Sequence, residues 1–170
     1  MAHSLASALS EMFGEGLDSL HVTWHLFDDA GTALRKLLES PRPDHEFKTL
    51  SGTTSLRALA KERDRLETAM AEIVEENSVV TDDVCQSRIT EFMDFAIKFM
   101  TATEIFEHDQ NAPVGFEKEG MKLFHGADNL RQIAVAYEAG RQTGLREAKS
   151  RKPRDPVQPK RPTCEHRGRG

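Results

Sequence analysis

Four separated runs of apolar residues, each advancing in steps of three and four, constrain this chain more than any other feature. The first is Leu17, Leu20, Trp24, Phe27, Gly31, Leu34 and Leu38, and the second is Leu56, Leu59, Arg63, Leu66, Met70 and Ile73. The third is Cys85, Ile89, Phe92, Ala96, Phe99, Thr103 and Phe106, and the fourth is Phe116, Gly120, Leu123, Ala127, Leu130, Ala134 and Tyr137. Such spacing keeps side chains on one face of an α-helix, so each run gives one helix a stripe that must be buried. Strict alternation of apolar and polar residues is absent, and no strand is expected. Amphipathic helices with short connections pack most economically as an antiparallel bundle. The expected fold is therefore all-α: an antiparallel helical bundle of about four main helices. Leu5, Leu9, Met12 and Phe13 mark a short additional N-terminal helix.

The breaks between the runs have local causes. Pro41 and Pro43 stop the first helix, and a loop runs from Ser40 to Ser55. That loop is long for a bundle, so it crosses an end or folds on a partner. Thr81 caps the third helix, with Asp82 and Asp83 in its electropositive first turn. Asn111 and Pro113 are expected to end it. Gly115, Gly120 and Gly126 are each unfavourable within a helix, so the fourth run is expected to break near Gly126. A cleaner helix from about Asp128 to about Lys149 follows from that reading. The third run, with Phe92, Met93, Phe95, Phe99, Met100 and Phe106, is apolar around much of its circumference, which places it centrally.

Charge divides the chain in two. Residues 149–170 carry eight Lys or Arg and two acids, a net of +6. Residues 1–148 carry 15 basic and 26 acidic residues, a net of −11. The expected organisation is an acidic helical-bundle domain over 1–148 and a basic Pro-rich tail over 149–170. The tail holds four of the seven prolines and Val157 as its one aliphatic residue. It buries too little apolar surface to offset its ordering entropy and is expected to be disordered in isolation.

Several function classes are excluded by pattern. The first 16 residues, MAHSLASALSEMFGEG, show no basic region followed by a signal-length apolar run, and no apolar stretch approaches membrane-spanning length. The two cysteines, Cys85 and Cys164, form no C-x-x-C, so a disulfide framework or structural zinc is not expected and a reducing, cytoplasmic setting is. Cys85 is at a core position and Cys164 is in the tail, so neither is read as a nucleophile. No P-loop, G-x-S-x-G, dinucleotide glycine motif or metalloprotease helix occurs.

The stretch EIVEENSVVTDDVCQSRITEFMD, Glu72 to Asp94, carries Glu-x-x-Glu followed after a gap by Glu-x-x-Asp. This pattern resembles the signature of the all-α nucleoside-triphosphate pyrophosphohydrolases, the MazG and dimeric dUTPase group. The resemblance implies that Glu72, Glu75, Glu91 and Asp94 would hold magnesium, which bridges phosphates and activates a water. Hard oxygen ligands and a cation suit that chemistry. At 100° per residue, however, Glu72 and Glu75 lie about 150° from the core direction of their helix, and Glu91 about 110°. Asp94 lies nearly opposite the core. The helical wheel thus reads the four acids as an outward face.

Three further constellations stand out. His21, His25 and Asp28 form an H-x-x-x-H-x-x-D pattern on the first helix, and Glu104 and His108 form an i, i+4 pair on the third. Imidazoles at i and i+4 can share a metal, and a bundle can bring such pairs together. Ala136, Gly140 and Gly144 recur every four residues. Arg131, Arg141 and Arg146 exclude a lipid setting for this stripe, so it reads as close backbone approach to another helix or subunit, or as a weak helix end. In the tail, Lys149, Arg151, Lys152, Arg154, Lys160, Arg161, Arg167 and Arg169 are the candidates for phosphate contact, with no aromatic residue for base stacking.

Together these readings favour a non-enzymatic helical-bundle binding protein: a small regulator, adaptor or inhibitor. The acidic body engages a protein partner, and the basic tail adds nucleic-acid contact. No cofactor and no membrane association are expected, and a homodimer is an open alternative. The competing expectation is the magnesium-dependent nucleoside-triphosphate pyrophosphohydrolase implied by the resemblance.

Overall fold

The structure is a computed structural model, and it describes residues 16–74 and 82–150. The expected N-terminal helix, the Thr81 cap, Glu75 and the tail beyond Ser150 fall outside the described residues. Four helices and one hairpin make up the rest. Helix α1 spans Gly16–Leu37, α2 Leu56–Val74, α3 Asp82–Phe106 and α4 Phe116–Ser150. Strands β1 (Phe47–Thr49) and β2 (Gly52–Thr54) lie between α1 and α2.

The stripes become the core. Leu20, Phe27, Leu34 and Leu37 of α1 are buried with Leu56, Leu59 and Leu66 of α2. Helix α3 contributes Ile89, Phe92, Met93, Phe95, Ala96, Phe99 and Ala102, and α4 contributes Phe116, Leu123, Ala127, Leu130 and Ala134. Each neighbouring pair is antiparallel. Arg65 meets Glu91 and Glu62 meets Lys98 across α2 and α3. Phe99 meets Phe116, and Gln86 reaches the Ala134 carbonyl, across α3 and α4. Ser19 meets Asn129 across α1 and α4. The result is an up-down-up-down bundle with α1 diagonal to α3.

Phenylalanines bridge that diagonal. Phe27 of α1 lies 5.0 Å from Phe92 with tilted rings and 5.3 Å from Phe95 edge-on, centroid to centroid. Phe99 meets Phe116 edge-on at 5.5 Å. Such geometries add roughly 0.5–1.5 kcal/mol per pair beyond area burial. Helix α3 packs between α2 and α4 and supplies three of the buried rings, Phe92, Phe95 and Phe99.

Three local expectations are corrected. The Ser40–Ser55 segment is not strand-free: β1 and β2 pair antiparallel with Phe47 opposite Thr54 and Thr49 opposite Gly52. Three-residue strands are too short to display an alternation. Their anchor is Phe47, buried edge-on against Phe106 of α3 at 5.8 Å. After the hairpin, Ser55 caps α2 by accepting the Ala58 N–H on its Oγ at 3.2 Å.

Helix α3 ends at Phe106, ahead of Asn111 and Pro113. Asp109 organises the turn. Its N–H donates to the Phe106 carbonyl, and its carboxylate accepts both the Asn111 N–H and the Ser40 hydroxyl, each at 2.9 Å. The side chain–backbone bond stops the helix early.

Helix α4 is unbroken over 35 residues. Gly115 stands outside it, and Gly120 and Gly126 are within it at points of close helix approach. A β-carbon at Gly120 would fall 2.9 Å from Thr103 Cγ2 of α3, and one at Gly126 would fall 3.1 Å from Thr23 Oγ1 of α1. The tight packing that this approach permits offsets the roughly 1 kcal/mol that each glycine costs a helix.

Candidate functional site

Two charged constellations link α2 to its neighbours. The first is a row of alternating charge along the α2–α3 seam. Lys98 of α3 sits between Glu62 of α2 at 3.0 Å and Asp94, one turn back on α3, at 2.7 Å. Lys98 and Glu62 are both largely buried, with side chains 16% and 19% exposed. Closer to the start of α3, Glu91 accepts from Arg65 of α2 at 2.9 Å and from Arg88 at 3.1 Å. The hairpin tip approaches this row, because Ser51 is close enough to Asp94 to lower its pKa.

The ionisation of these groups follows. Burial opposes the charged form of Glu91, but hydrogen bonds and charge from Arg65 and Arg88 outweigh it and hold the carboxyl below its ordinary value. Burial likewise opposes the charged form of Asp94, and hydrogen bonds from Lys98 and Ser51 overcome it to lower the pKa. For Lys98, burial favours the neutral amine, while Asp94 and Glu62 together raise the pKa above normal. All three groups are therefore held in their charged forms by their partners: Glu91 by Arg65 and Arg88, and Asp94 and Lys98 by each other with Ser51 and Glu62.

Glu91 and Asp94, two of the four acids implied as magnesium ligands, are thus committed to protein cations. They point away from the core stripe, as the helical wheel indicates, but into a half-covered seam. The side chain of Glu72 and the whole of Glu75 lie outside the described residues.

The second constellation surrounds Arg63 of α2, between α1 and α2. Its side chain is only 8% exposed. Nη1 donates to Glu67 at 2.7 Å and lies 3.5 Å from Asp64; Nη2 donates to Asp28 of α1 at 3.2 Å. The guanidinium stacks 5.1 Å above the Phe27 ring. Gly31 provides the space for it. Beside Arg63 is a shallow cavity of about 300 Å³ lined by Leu34, Leu38 and Ala60 with Arg35, Asp64 and Glu67. Arg63, held by Asp28 of α1 and by Asp64 and Glu67 of its own helix, is a clamp between the two helices.

Arg63 stands in the apolar stripe of the second run, and Gly31 in that of the first. An arginine in one stripe and a glycine in the other is the signal from which this clamp was readable. Lys98 and Glu62 gave no comparable signal, because each falls among ordinary surface charges in its own helix.

The bundle does not bring together the two metal-ligand candidates. His21 and His25 are exposed near the end of α1 that lies beside Gly126 and Asn129 of α4, and Asp28 is drawn to Arg63. Glu104 and His108 are exposed at the opposite end, past the level where Thr103 meets Gly120. Because α1 and α3 run in the same direction, a pair near the start of one does not meet a pair at the end of the other. Among the described residues, no group of three or more His, Cys, Asp or Glu side chains is placed to hold a metal ion.

The last part of α4 projects. Ala134 is its last buried residue, and every residue from Ala139 to Ser150 is exposed. This segment carries Arg141, Arg146 and Lys149 and leads into the remaining tail candidates, Arg151, Lys152, Arg154, Lys160, Arg161, Arg167 and Arg169, which lie outside the described residues. Among the described residues no helix is long and apolar enough to cross a membrane. The chain matches no protein-family model, no curated protein and no solved structure.

Proposed function

We propose that this chain is a non-enzymatic binding protein: its acidic bundle engages a protein partner, and its basic C-terminal region makes phosphate contacts on nucleic acid. The observation that supports this reading is the projection of α4. Four helical turns beyond the last buried residue carry Arg146 and Lys149 past the end of the core, with Arg141 paired to Glu138 below them. An acidic bundle repels a polyanion, so a basic segment must stand clear of it to bind one. The same body attracts a basic protein surface. The commitment of Glu91 and Asp94 to Arg65, Arg88 and Lys98 also favours binding over magnesium-dependent hydrolysis.

The test uses fluorescence anisotropy with a labelled single strand of about 20 nucleotides and a duplex of the same length, titrated with the full chain at several salt concentrations. Binding should weaken steeply with salt and vary little with sequence. Charge reversal at Arg141, Arg146 and Lys149 should weaken it about tenfold or more. Salt-independent binding, or none at low salt, would remove the nucleic-acid half of the proposal. Capture from the native host, with identification of what remains bound after nuclease treatment, tests the protein-partner half.

A further inference from the structure

We infer that the outer groove between α3 and α4 is a docking site for a basic amphipathic helix of another protein. The inference rests on the reading that the acidic body engages a protein partner, and it names the surface and the chemistry of that partner. It starts from a surplus of apolar residues on α3. Phe92, Phe95 and Phe99 fill the interior. Met93, Ile97 and Met100 form a second stripe, turned about 110° from Phe92 to the outer side facing α4, and Glu104 continues it. Helix α4 carries a matching stripe beside its core face: Glu117, Met121, Phe124 and Asp128, turned about 130° from Leu123.

The antiparallel register sets the two stripes side by side. Gln86 reaches the Ala134 carbonyl, and a β-carbon at Gly120 would lie 3.2 Å from the Met100 Cα. Between these fixed points Met93 is level with Asp128, Ile97 with Phe124 and Met100 with Met121. Glu104 and Glu117 are level with each other just beyond. Met93 forms the floor at 8% exposure, Ile97, Met100 and Phe124 are half-buried, and Met121 is 39% exposed. Methionine side chains are flexible and polarisable, so such a groove moulds itself to an inserted apolar face. From Met93 to Glu104 it runs about 16 Å, the length of three turns of helix.

Charge selects the occupant. Glu104 and Glu117 are both exposed, and neither is in an ion pair among the described residues. Asp128, at the other end, is already balanced by Arg131 at 2.8 Å. Lys118 and Lys122 lie about 90° or more round α4 from the stripe, and Lys98 is turned to Glu62 and Asp94. The groove therefore ends in two carboxylates that no nearby cation offsets. A helix with apolar residues at i, i+4 and i+7 and Lys or Arg beside them complements both the floor and that end. A second copy is a poor occupant, because residues 1–148 carry a net −11 and repel their like.

The probe is a labelled helical peptide of about 15 residues, with leucines at i, i+4, i+7 and i+11 and lysines at both ends. Fluorescence anisotropy with the full chain should show saturable binding, about tenfold or more tighter than for a scrambled peptide of the same composition. Met121→Ser should weaken it about tenfold. Ile105→Ser, at an exposed position on the other side of α3, should leave it unchanged. Glu104→Lys with Glu117→Lys should weaken the lysine peptide about tenfold and strengthen a peptide with glutamates in place of the lysines. The inference is overturned by equal binding of the scrambled peptide, by no binding at about 1 mM, or by indifference to Met121→Ser. A native chain that dimerises, and becomes monomeric with Met121→Ser, also overturns it in favour of a second copy. A host protein captured equally by the native and Met121→Ser chains overturns this inference and leaves the broader reading standing.

Discussion

Arg63 occupies the space that a side chain at position 31 would need. A β-carbon on Gly31 would lie 2.8 Å from Arg63 Nη2 and closer still to Nε and Cζ. The guanidinium is held there by Asp28, Asp64 and Glu67 and by the Phe27 ring, so it cannot swing aside without giving up these contacts. Gly31→Ala should therefore destabilise the bundle by about 1–3 kcal/mol, although alanine is the better helix former. Urea denaturation measures this. The double variant Gly31→Ala, Arg63→Met should lose less than the sum of the two single losses, because the methionine vacates the contested volume. Strict additivity would show that the two residues do not compete for space.

Lys98 makes a second, separable prediction. Its removal leaves Glu62 and Asp94 facing each other's field in a half-covered seam. Lys98→Ala should reduce stability by about 1–3 kcal/mol, less than for a fully buried pair because all three groups retain some contact with water. Lys98→Ala combined with Glu62→Gln should recover part of that loss. Equal stability of the single and double variants in urea would show that the Glu62 contact contributes little.

Gly120 tests the correction to α4. The glycine count of the fourth run pointed to a break, but Gly120 is where α4 closes on Thr103. Gly120→Ala should destabilise by about 1–3 kcal/mol through overpacking, and Thr103→Ala in the same chain should relieve part of it by removing both Oγ1 and Cγ2. A stabilising Gly120→Ala would mean that helix propensity outweighs the contact, and thermal unfolding decides the sign.

These cases show what was legible in the sequence. The four stripes and the antiparallel bundle follow from the periodicity of Leu, Phe and Ala, because burial of a helical face is a repeating constraint. The intact α4 was not legible, since the reason for Gly120 and Gly126 is on other helices, at Thr103 and Thr23. The hairpin was hidden because Phe47 alone anchors it. The helical wheel turned Glu91 and Asp94 away from the core stripe, and the structure seats both in the half-covered seam between α2 and α3. The wheel had no means of finding Lys98, Arg65 and Arg88, whose pairing depends on the register of α2 against α3.

The same row sets the response to pH. Glu91 and Asp94 have folded pKa values below their ordinary 4.5 and 3.8. The stability they contribute is fully present above those values and is lost as pH falls through the lowered folded pKa values. Lys98 has a folded pKa above its ordinary 10.5, so its contribution is present below 10.5 and is lost as pH rises through the raised value. Between these limits the row contributes no slope. Denaturation midpoints should fall in acid below about pH 4, and Glu91→Gln should flatten that limb. An acid limb of unchanged steepness would show that Glu91 titrates alike in the folded and unfolded chains.

Magnesium and nucleotide provide the last prediction. A divalent ion at Glu91 and Asp94 would have to displace Arg65, Arg88 and Lys98, and magnesium gives up its own water reluctantly. Those cations are already placed on the carboxylate oxygens at 2.7–3.1 Å. Millimolar magnesium should therefore leave the midpoint of thermal unfolding unchanged, and a panel of nucleoside triphosphates with the full chain should release no pyrophosphate. If turnover is found and is abolished by Asp94→Ala, the binding-only proposal fails. The Lys98 pair would then be a resting arrangement that substrate and metal break. If magnesium raises the midpoint without turnover, the acids bind metal despite their partners, and Glu91→Gln should remove the effect.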